Sequence, residues 1–372
     1  MSRPIELVIH MDALRHNCQK MREAARGRFL WAVVKANGYG HGLEHIVKGF
    51  AEADGLAILD IGDALKLRRL GWKKRILMIE GFFDEEDLEP IQEAGADVIV
   101  HSERLLSILE HHKGLRLGCY IGVNTGMSRL GFRPSEVEAV RARLHAIPGV
   151  TSYGVLTHFA NGDPSYKENG PATVGRQLDR LGDLANDPEG ACLAATTGML
   201  FHPEVKGNAV RAGIALYGVS PDSTVSEKTL DIIPAQTLRA KIIAVQHIEK
   251  GEAVGYGSKW IAPRPSRIGI VACGYADGYP RSAPNGTPVW VEGKKVPMAG
   301  RVCMDMISID ITDFPDADVG SWVELWGQHI PVNEIAGSVG TIGYELICSV
   351  LPRVPVRETE RSEEHTSELQ SL

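Results

Sequence analysis

Along its first two thirds the chain alternates short apolar runs with amphipathic stretches. The runs read FLWAVVKA (29–36), GLAILD (55–60), RILMIE (75–80), DVIV (97–100), RLGCYIGVN (116–124), SYGVLTHF (152–159), CLAATT (192–197) and NAVRA (208–212). Between most of them lie charged segments with helical spacing. In 60–71, Ile61, Leu65, Leu67 and Leu70 fall on one side while Lys66, Arg68 and Arg69 fall on the other. Continuous apolar strands separated by helices predict a parallel sheet covered on both faces. Eight such units close a (β/α)8 barrel, and the span suits that fold's usual size of about 250 residues. A doubly wound open sheet is the alternative, but the glycine fingerprint expected after its first strand is missing.

The pattern changes near residue 219. SPDSTVSEKTLDIIP (220–234) is a polar, proline-bounded linker. Strand-like alternation follows in LRAKIIAVQHI (238–248), RIGIVACGYADG (267–278) and TPVWVEGKKVPMAGRVCMDMISIDI (287–311), with Glu292–Gly293 placed as a hairpin turn. The predicted fold class is α/β. An N-terminal (β/α)8 TIM-like barrel covers 1–232, its opening residues packing with the second domain, and a C-terminal, mainly antiparallel β domain covers 233–358. Residues 361–372 contain RSEEHTSELQS, which reads like a translated sequencing adapter; a non-native, disordered tail is expected there.

Composition narrows the function classes. The 372 residues carry 40 Lys+Arg against 47 Asp+Glu, a formal charge of −7 without a basic run, which argues against nucleic acid or an anionic membrane as partner. No apolar stretch approaches the roughly 18 residues a membrane-spanning helix needs. The N-terminus, interrupted by Pro4, Glu6 and Asp12, does not read as a signal peptide. Six scattered cysteines without a CxxC pair suit reduced thiols in a cytoplasm and suggest no metal site.

The candidate chemistry lies at the ends of the barrel runs. Lys35 ends the strand WAVVK and precedes the glycine-rich turn ANGYGHG. The C-terminal strand ends are the active face of such a barrel, where partial desolvation makes a lysine amine available as nucleophile and base. Alone, it would read more readily as a solvated strand cap. His158 ends the sixth run, Thr196 the seventh, and Arg211 lies in the eighth, with Gly213 and Ile214 opening GIALYG. Singly, His158 could be a hydrogen-bonded core histidine and Arg211 a rim ion pair. Together with the phosphate site that a barrel usually forms after strands 7 and 8, they fit a pyridoxal 5'-phosphate (PLP) pocket. No GxSxG, HExxH or P-loop pattern supports a hydrolase or nucleotide reading.

VVKANGYGHG (33–42) resembles the PLP-lysine signature of alanine racemases, usually written with Ala where this chain has Gly38. NTGMSRLGF (124–132), THFA (157–160), LFHPE (200–204), VRAGIALYG (210–218), VGYGSKW (254–260), GYADGYPR (274–281), GRVCMDM (300–306) and TIGYE (341–345) match in the same order. The resemblance implies a PLP barrel followed by a β domain, in a head-to-tail homodimer with shared active sites that acts on L- and D-alanine. It implies that Lys35 binds PLP and is one of two bases at Cα, and that Tyr256, reaching across from the other subunit, is the second. Arg211 would contact the pyridine nitrogen, with His158 hydrogen-bonded behind it. Tyr39, Thr196, Gly213, Ile214 and Tyr344 would hold the phosphate. Arg129 and the backbone of Met304 would take the substrate carboxylate, and Tyr275, Arg301 and Asp305 would line the way in for substrate. Bases on opposite faces exchange a proton without turning the substrate. An arginine, which cannot give up its proton, leaves the ring neutral and discourages transamination.

Two positions depart from the family pattern. Many members carry a carbamylated lysine that orients the arginine; this chain has Gly122, so Arg129 is expected to find its counter-charge elsewhere, for example in a bound chloride. Ala195 stands where the family usually has Asn, at a cost of one hydrogen bond, roughly 0.5–1.5 kcal/mol. Smaller side chains at 38 and 195 would enlarge the pocket, which leaves a serine or broad-specificity racemase of the same fold as an alternative. Arg211 argues against a PLP decarboxylase. Tyr256, Arg129 and the second domain argue against a PLP-binding carrier protein.

Overall fold

The computed structural model describes residues 3–112, 114–166 and 170–360, so the expected non-native tail at 361–372 lies outside the described residues. The chain divides into two compact units. One comprises Arg15–Leu216 with Thr224–Ser226; the other comprises the residues up to Leu14, Tyr217–Ser223 and the chain from Glu227 onward.

Strand β1 (Ile5–His10) belongs to the second unit. Strands β2 (Phe29–Val33), β3 (Gly55–Ile58), β4 (Arg75–Met78), β5 (Asp97–Val100), β6 (Leu117–Gly122), β7 (Val150–Leu156), β8 (Ala191–Ala195) and β9 (Ala209–Ala212) follow, each overlapping one of the eight apolar runs, with β7 and β8 starting two residues and one residue before theirs. They pair in parallel in chain order, and β2 pairs with β9 to close the barrel. Parallel strands need crossover connections; among them are the helices Ile61–Arg69, Glu103–His111 and Val137–His145. The strand starts are plugged by a polar-aromatic cluster. Arg75 pairs with Asp97 at 2.7 Å and stacks over the rings of Tyr153 at 4.0 Å and Trp31 at 5.0 Å. Gly55 and Gly118 make room for it, since a Cβ there would fall 2.4 Å from Trp31 and 1.9 Å from Tyr153. With that end filled, chemistry is left to the opposite, C-terminal strand ends.

In the second unit, strands β10 (Gln236–Ile248), β11 (Ala253–Val254), β12 (Trp260–Ile261), β13 (Ser266–Val271), β14 (Pro288–Val291), β15 (Lys294–Pro297), β16 (Ile307–Asp310), β17 (Trp322–Trp326) and β18 (Val356–Thr359) follow. Eight strands share one sheet, in the order β15-β14-β17-β10-β1-β18, with β13 on β10 and β16 on β13; β11 and β12 form a separate ladder. Every pair in it is antiparallel except β1 with β18. Glu292 (φ 48°) and Gly293 (φ 77°) form the two-residue turn between β14 and β15, the backbone that such a hairpin requires. The alternation read through 287–311 overstates the strands, because 301–306 carry no ladder. There the carbonyls of Cys303 and Met304 accept hydrogen bonds from the backbone of Tyr275 and Ala276 at 3.1 and 2.9 Å. Among the described residues no helix is long and apolar enough to cross a membrane.

Candidate active site

Lys35, half-buried, is separated from the end of β2 by Val34 and stands at the start of a turn with unusual backbone. Ala36, Asn37 and Gly38 all adopt left-handed conformations, at φ 53°, 53° and 64°. Only glycine enters that region freely, and Asn tolerates it better than most residues. The buried imidazole of His41 braces the turn, its Nδ1–H donating to the Tyr39 carbonyl at 2.9 Å. Asn37 Oδ1 accepts from the Leu43 amide at 3.3 Å. Strain of this kind persists only where the surroundings impose it and is concentrated at functional sites. Three glycines at 38, 40 and 42 were the signal for it in the sequence. Gly38 does not widen the site: a Cβ there would lie 2.6 Å from Ile46 Cγ1, inside the core.

Arg211, in β9, is 5% exposed and fixed by two neighbouring strands. Its Nη1 donates to the Cys192 carbonyl at 2.7 Å and to the Cys192 sulfur at 3.2 Å. Its Nη2 donates to the Thr157 carbonyl at 2.6 Å and to His158 Nδ1 at 3.3 Å. Nε–H is thus the one Arg211 donor with no partner among the described residues. An Nδ1 that accepts from an arginine belongs to a neutral imidazole. Burial first, and then the cations Arg211, Arg129 and Lys35, push the His158 pKa down to about 3. Geometry and electrostatics agree on a neutral histidine among three positive side chains.

Tyr39, Thr196 and Gly213 converge beside them. Thr196 Oγ1 accepts from the Gly213 amide at 2.8 Å, and a Cβ built on Gly213 would stand 3.1 Å from the Tyr39 hydroxyl. Ile214 follows, fully buried. Thr196 opens the helix Thr196–Phe201, whose N-cap, Ala195, has extended backbone but no side-chain acceptor for the first amides.

A small cleft lies at the ends of β5, β6 and β7, with Gly122, His101, Asn124, Arg129 and His158 among its walls. A Cβ at Gly122 would stand 3.0 Å from both Ile99 Cγ2 and His101 Cβ. The Arg129 side chain belongs to an exposed residue and makes no hydrogen bond or ion pair among the described residues. Its loop is held from below by Gln177, a residue the sequence did not single out. Fully buried, Gln177 donates to Thr125 Oγ1 at 2.8 Å and to the His158 carbonyl at 3.1 Å. Cys192 was likewise missed, because its contribution comes mainly through a backbone carbonyl.

Tyr256, Tyr275, Arg301, Met304, Asp305 and Tyr344 belong to the second unit. Tyr256 is 70% exposed on a turn where Gly255, Gly257 and Ser258 all have positive φ. Arg301 lies against this turn, its guanidinium 3.5 Å from where a Gly257 Cβ would be. Tyr275 is joined to the 303–305 segment, whose Met304 is 53% exposed. Tyr344 stands half-buried on the helix Gly343–Cys348.

Comparisons with known proteins point one way. The family profile "Alanine racemase, N-terminal domain" matches residues 9–221, and "Alanine racemase, C-terminal domain" matches 235–358. The chain is 45% identical to an alanine racemase of Janthinobacterium sp. (strain Marseille), covering 96% of this chain and 99% of that one. It is 44% identical to an alanine racemase of Ralstonia nicotianae, covering 96% and 95%. Among solved structures it resembles the biosynthetic alanine racemase of Pseudomonas aeruginosa, with a TM-score of 0.90 at 40% identity over 96% of this chain and 99% of that one.

Proposed function

The chain belongs to the alanine racemase family, whose members are isomerases, and we propose that it interconverts L- and D-alanine with PLP as cofactor. The observation that carries this reading is the trio Lys35, Arg129 and Arg211 around a neutral His158 at the C-terminal barrel face. The donor set fits the cofactor. Lys35 offers an amine, the spare Nε–H of the buried Arg211 offers a donor to a ring nitrogen, and the Tyr39 and Thr196 hydroxyls beside Gly213 form a cradle suited to a phosphate. Ile214 and Tyr344 are proposed to complete the phosphate contacts.

When bound, PLP would withdraw electrons from the amino acid and so acidify its Cα proton. Lys35 would remove or return that proton on one face, and Tyr256 of the partner subunit would serve the other in a homodimer. Arg211 cannot release its proton, so it would keep the ring nitrogen neutral. His158, accepting from Arg211 Nη2, holds that guanidinium in orientation. Arg129 and the Met304 backbone would bind the substrate carboxylate; Tyr275, Arg301 and Asp305 would line its path. With Gly122 offering no charge, a chloride ion would balance Arg129, and replacing chloride by a large anion should raise the KM for alanine. The enzyme would work in the cytoplasm and supply D-alanine for peptidoglycan.

Incubation with L-alanine, and separately with L-serine, in D2O tests the reading. Cα deuteration together with inversion of alanine is expected. Preference for serine would move the assignment to a broader racemase, which Gly38 does not favour because Ile46 fills the space beside it. No exchange with either substrate would end the proposal.

A further inference from the structure

Asp277 is a carboxylate with no solvent exposure, in the turn that carries Tyr275. Arg3, near the start of the chain, donates to both its oxygens at 2.9 and 3.1 Å. Arg353, near the end of the second unit, donates from Nε at 2.8 Å. Its own turn closes on it through the Gly274 amide at 2.9 Å. A buried carboxylate is tolerable only when paired and hydrogen-bonded in this way.

Both arginines also reach the 303–305 segment. Arg3 Nη2 donates to the Asp305 carbonyl at 2.5 Å, and Arg353 Nη2 to the Asp305 carboxylate at 2.6 Å. The two turns approach so closely that a Cβ on Gly274 would stand 2.5 Å from the Met304 carbonyl. Asp277 is therefore the centre that fixes one turn against the other, with Met304 between its two anchored neighbours.

We propose that Asp277 is a positioning residue. Through Arg3 and Arg353 it sets the Met304 backbone and the Tyr275 side chain for the substrate carboxylate. This rests on the racemase reading, which assigns that carboxylate to Met304. Arginine suits the role because its planar fork spans two carboxylates, which a lysine ammonium cannot do at once.

The test measures kcat and KM for both alanine enantiomers in wild type, Asp277→Asn and Arg353→Gln holoenzyme, with propionate as a competitive carboxylate probe. Asp277→Asn should raise KM and the propionate inhibition constant together by roughly tenfold, the worth of one charge-assisted hydrogen bond, while kcat changes much less. Arg353→Gln leaves the Arg3–Asp277 pair intact and should raise both constants in the same sense without unfolding the protein, even if Asp277→Asn fails to fold. Arg353→Lys should rescue only in part. Unchanged KM and propionate binding in a folded Arg353→Gln would overturn the proposal. A fall in kcat alone would also overturn it. An inactive wild type would instead be a failure of the racemase reading.

Discussion

Arg211 and Tyr256 show two ways of presenting a functional group. Arg211 is 5% exposed, and four of its five donors already end on Cys192 in β8 and on Thr157 and His158 just beyond β7. Tyr256 is 70% exposed on a turn of positive-φ residues, with Arg301 beside it. The barrel residues are preorganised by the strands that carry them, which is how a site is held to the tolerance chemistry requires. Tyr256 has no such strand beneath it and stands on an exposed turn. In a low-dielectric, water-excluded setting each charge counts for more, so the two regions should respond differently to substitution.

The largest contrast is expected between the two proposed bases. Lys35→Ala should abolish both Cα deuteration and inversion, a loss of at least ~10⁴-fold. Tyr256→Phe should reduce inversion by ~10²–10⁴-fold, while Cα deuteration of one enantiomer persists. The two rates are read from one experiment in D2O by mass and chiral analysis. If Tyr256→Phe lost deuteration and inversion of both enantiomers equally, the separation into two one-faced bases would collapse.

The same contrast governs what could be read from the sequence. Lys35, His158, Thr196 and Arg211 were legible because barrel strands are continuous apolar runs whose ends are easy to find, and the active face follows from the fold. Glu292–Gly293 was legible because a two-residue hairpin turn restricts its residues to few types. Asp277 was not. Its partners Arg3 and Arg353 lie 274 and 76 residues away, and no period or spacing announces such a pairing. The left-handed run at 36–38 was visible only as glycine and asparagine content, since Ala36 gives no sign of adopting φ 53°. The stretch 301–306 alternates like a strand, yet the carbonyls of Cys303 and Met304 are taken by the Tyr275 turn, so long-range hydrogen bonding overrode the local pattern.

That left-handed run gives a sharper test of barrel preorganisation. Gly38→Ala must hold φ near +64° and push against Ile46 Cγ1 at 2.6 Å. Backbone strain and overpacking should together cost about 2–4 kcal/mol. Ile46→Ala removes the obstructing atom, so in that background Gly38→Ala should cost only the backbone share, ~1–2 kcal/mol. Additive denaturation midpoints across the four proteins would show that Ile46 does not hold the turn.

A milder effect follows from the neutral His158. Its pKa falls from 6.5 to about 3 on folding, so as pH drops below about 6.5 the unfolded chain takes up a proton that the folded chain refuses. The stabilisation is complete above that pH and is lost progressively as pH falls towards 3. By pH 5 the loss should be of order 2 kcal/mol. His158→Gln, which cannot titrate, should lack this part of the acid destabilisation when thermal midpoints are followed from pH 7.5 to 5. Parallel curves would mean that the imidazole is protonated in the native state.

The smallest expected change concerns Ala195. This residue caps the helix Thr196–Phe201 with the extended backbone a capping residue needs, at φ −89° and ψ −168°, yet it offers no acceptor. Ala195→Asn would supply one to the N2 or N3 amide and should stabilise the protein by ~0.5–2 kcal/mol. The gain should appear as a higher thermal midpoint and, because Thr196 Oγ1 already receives the Gly213 amide, with little change in kcat. An unchanged midpoint would mean that these amides are satisfied in the native protein without a side chain at 195. In that case the departure from the family's usual Asn carries no energetic cost, and the barrel mouth is as tightly held at the proposed phosphate cradle as it is around Arg211.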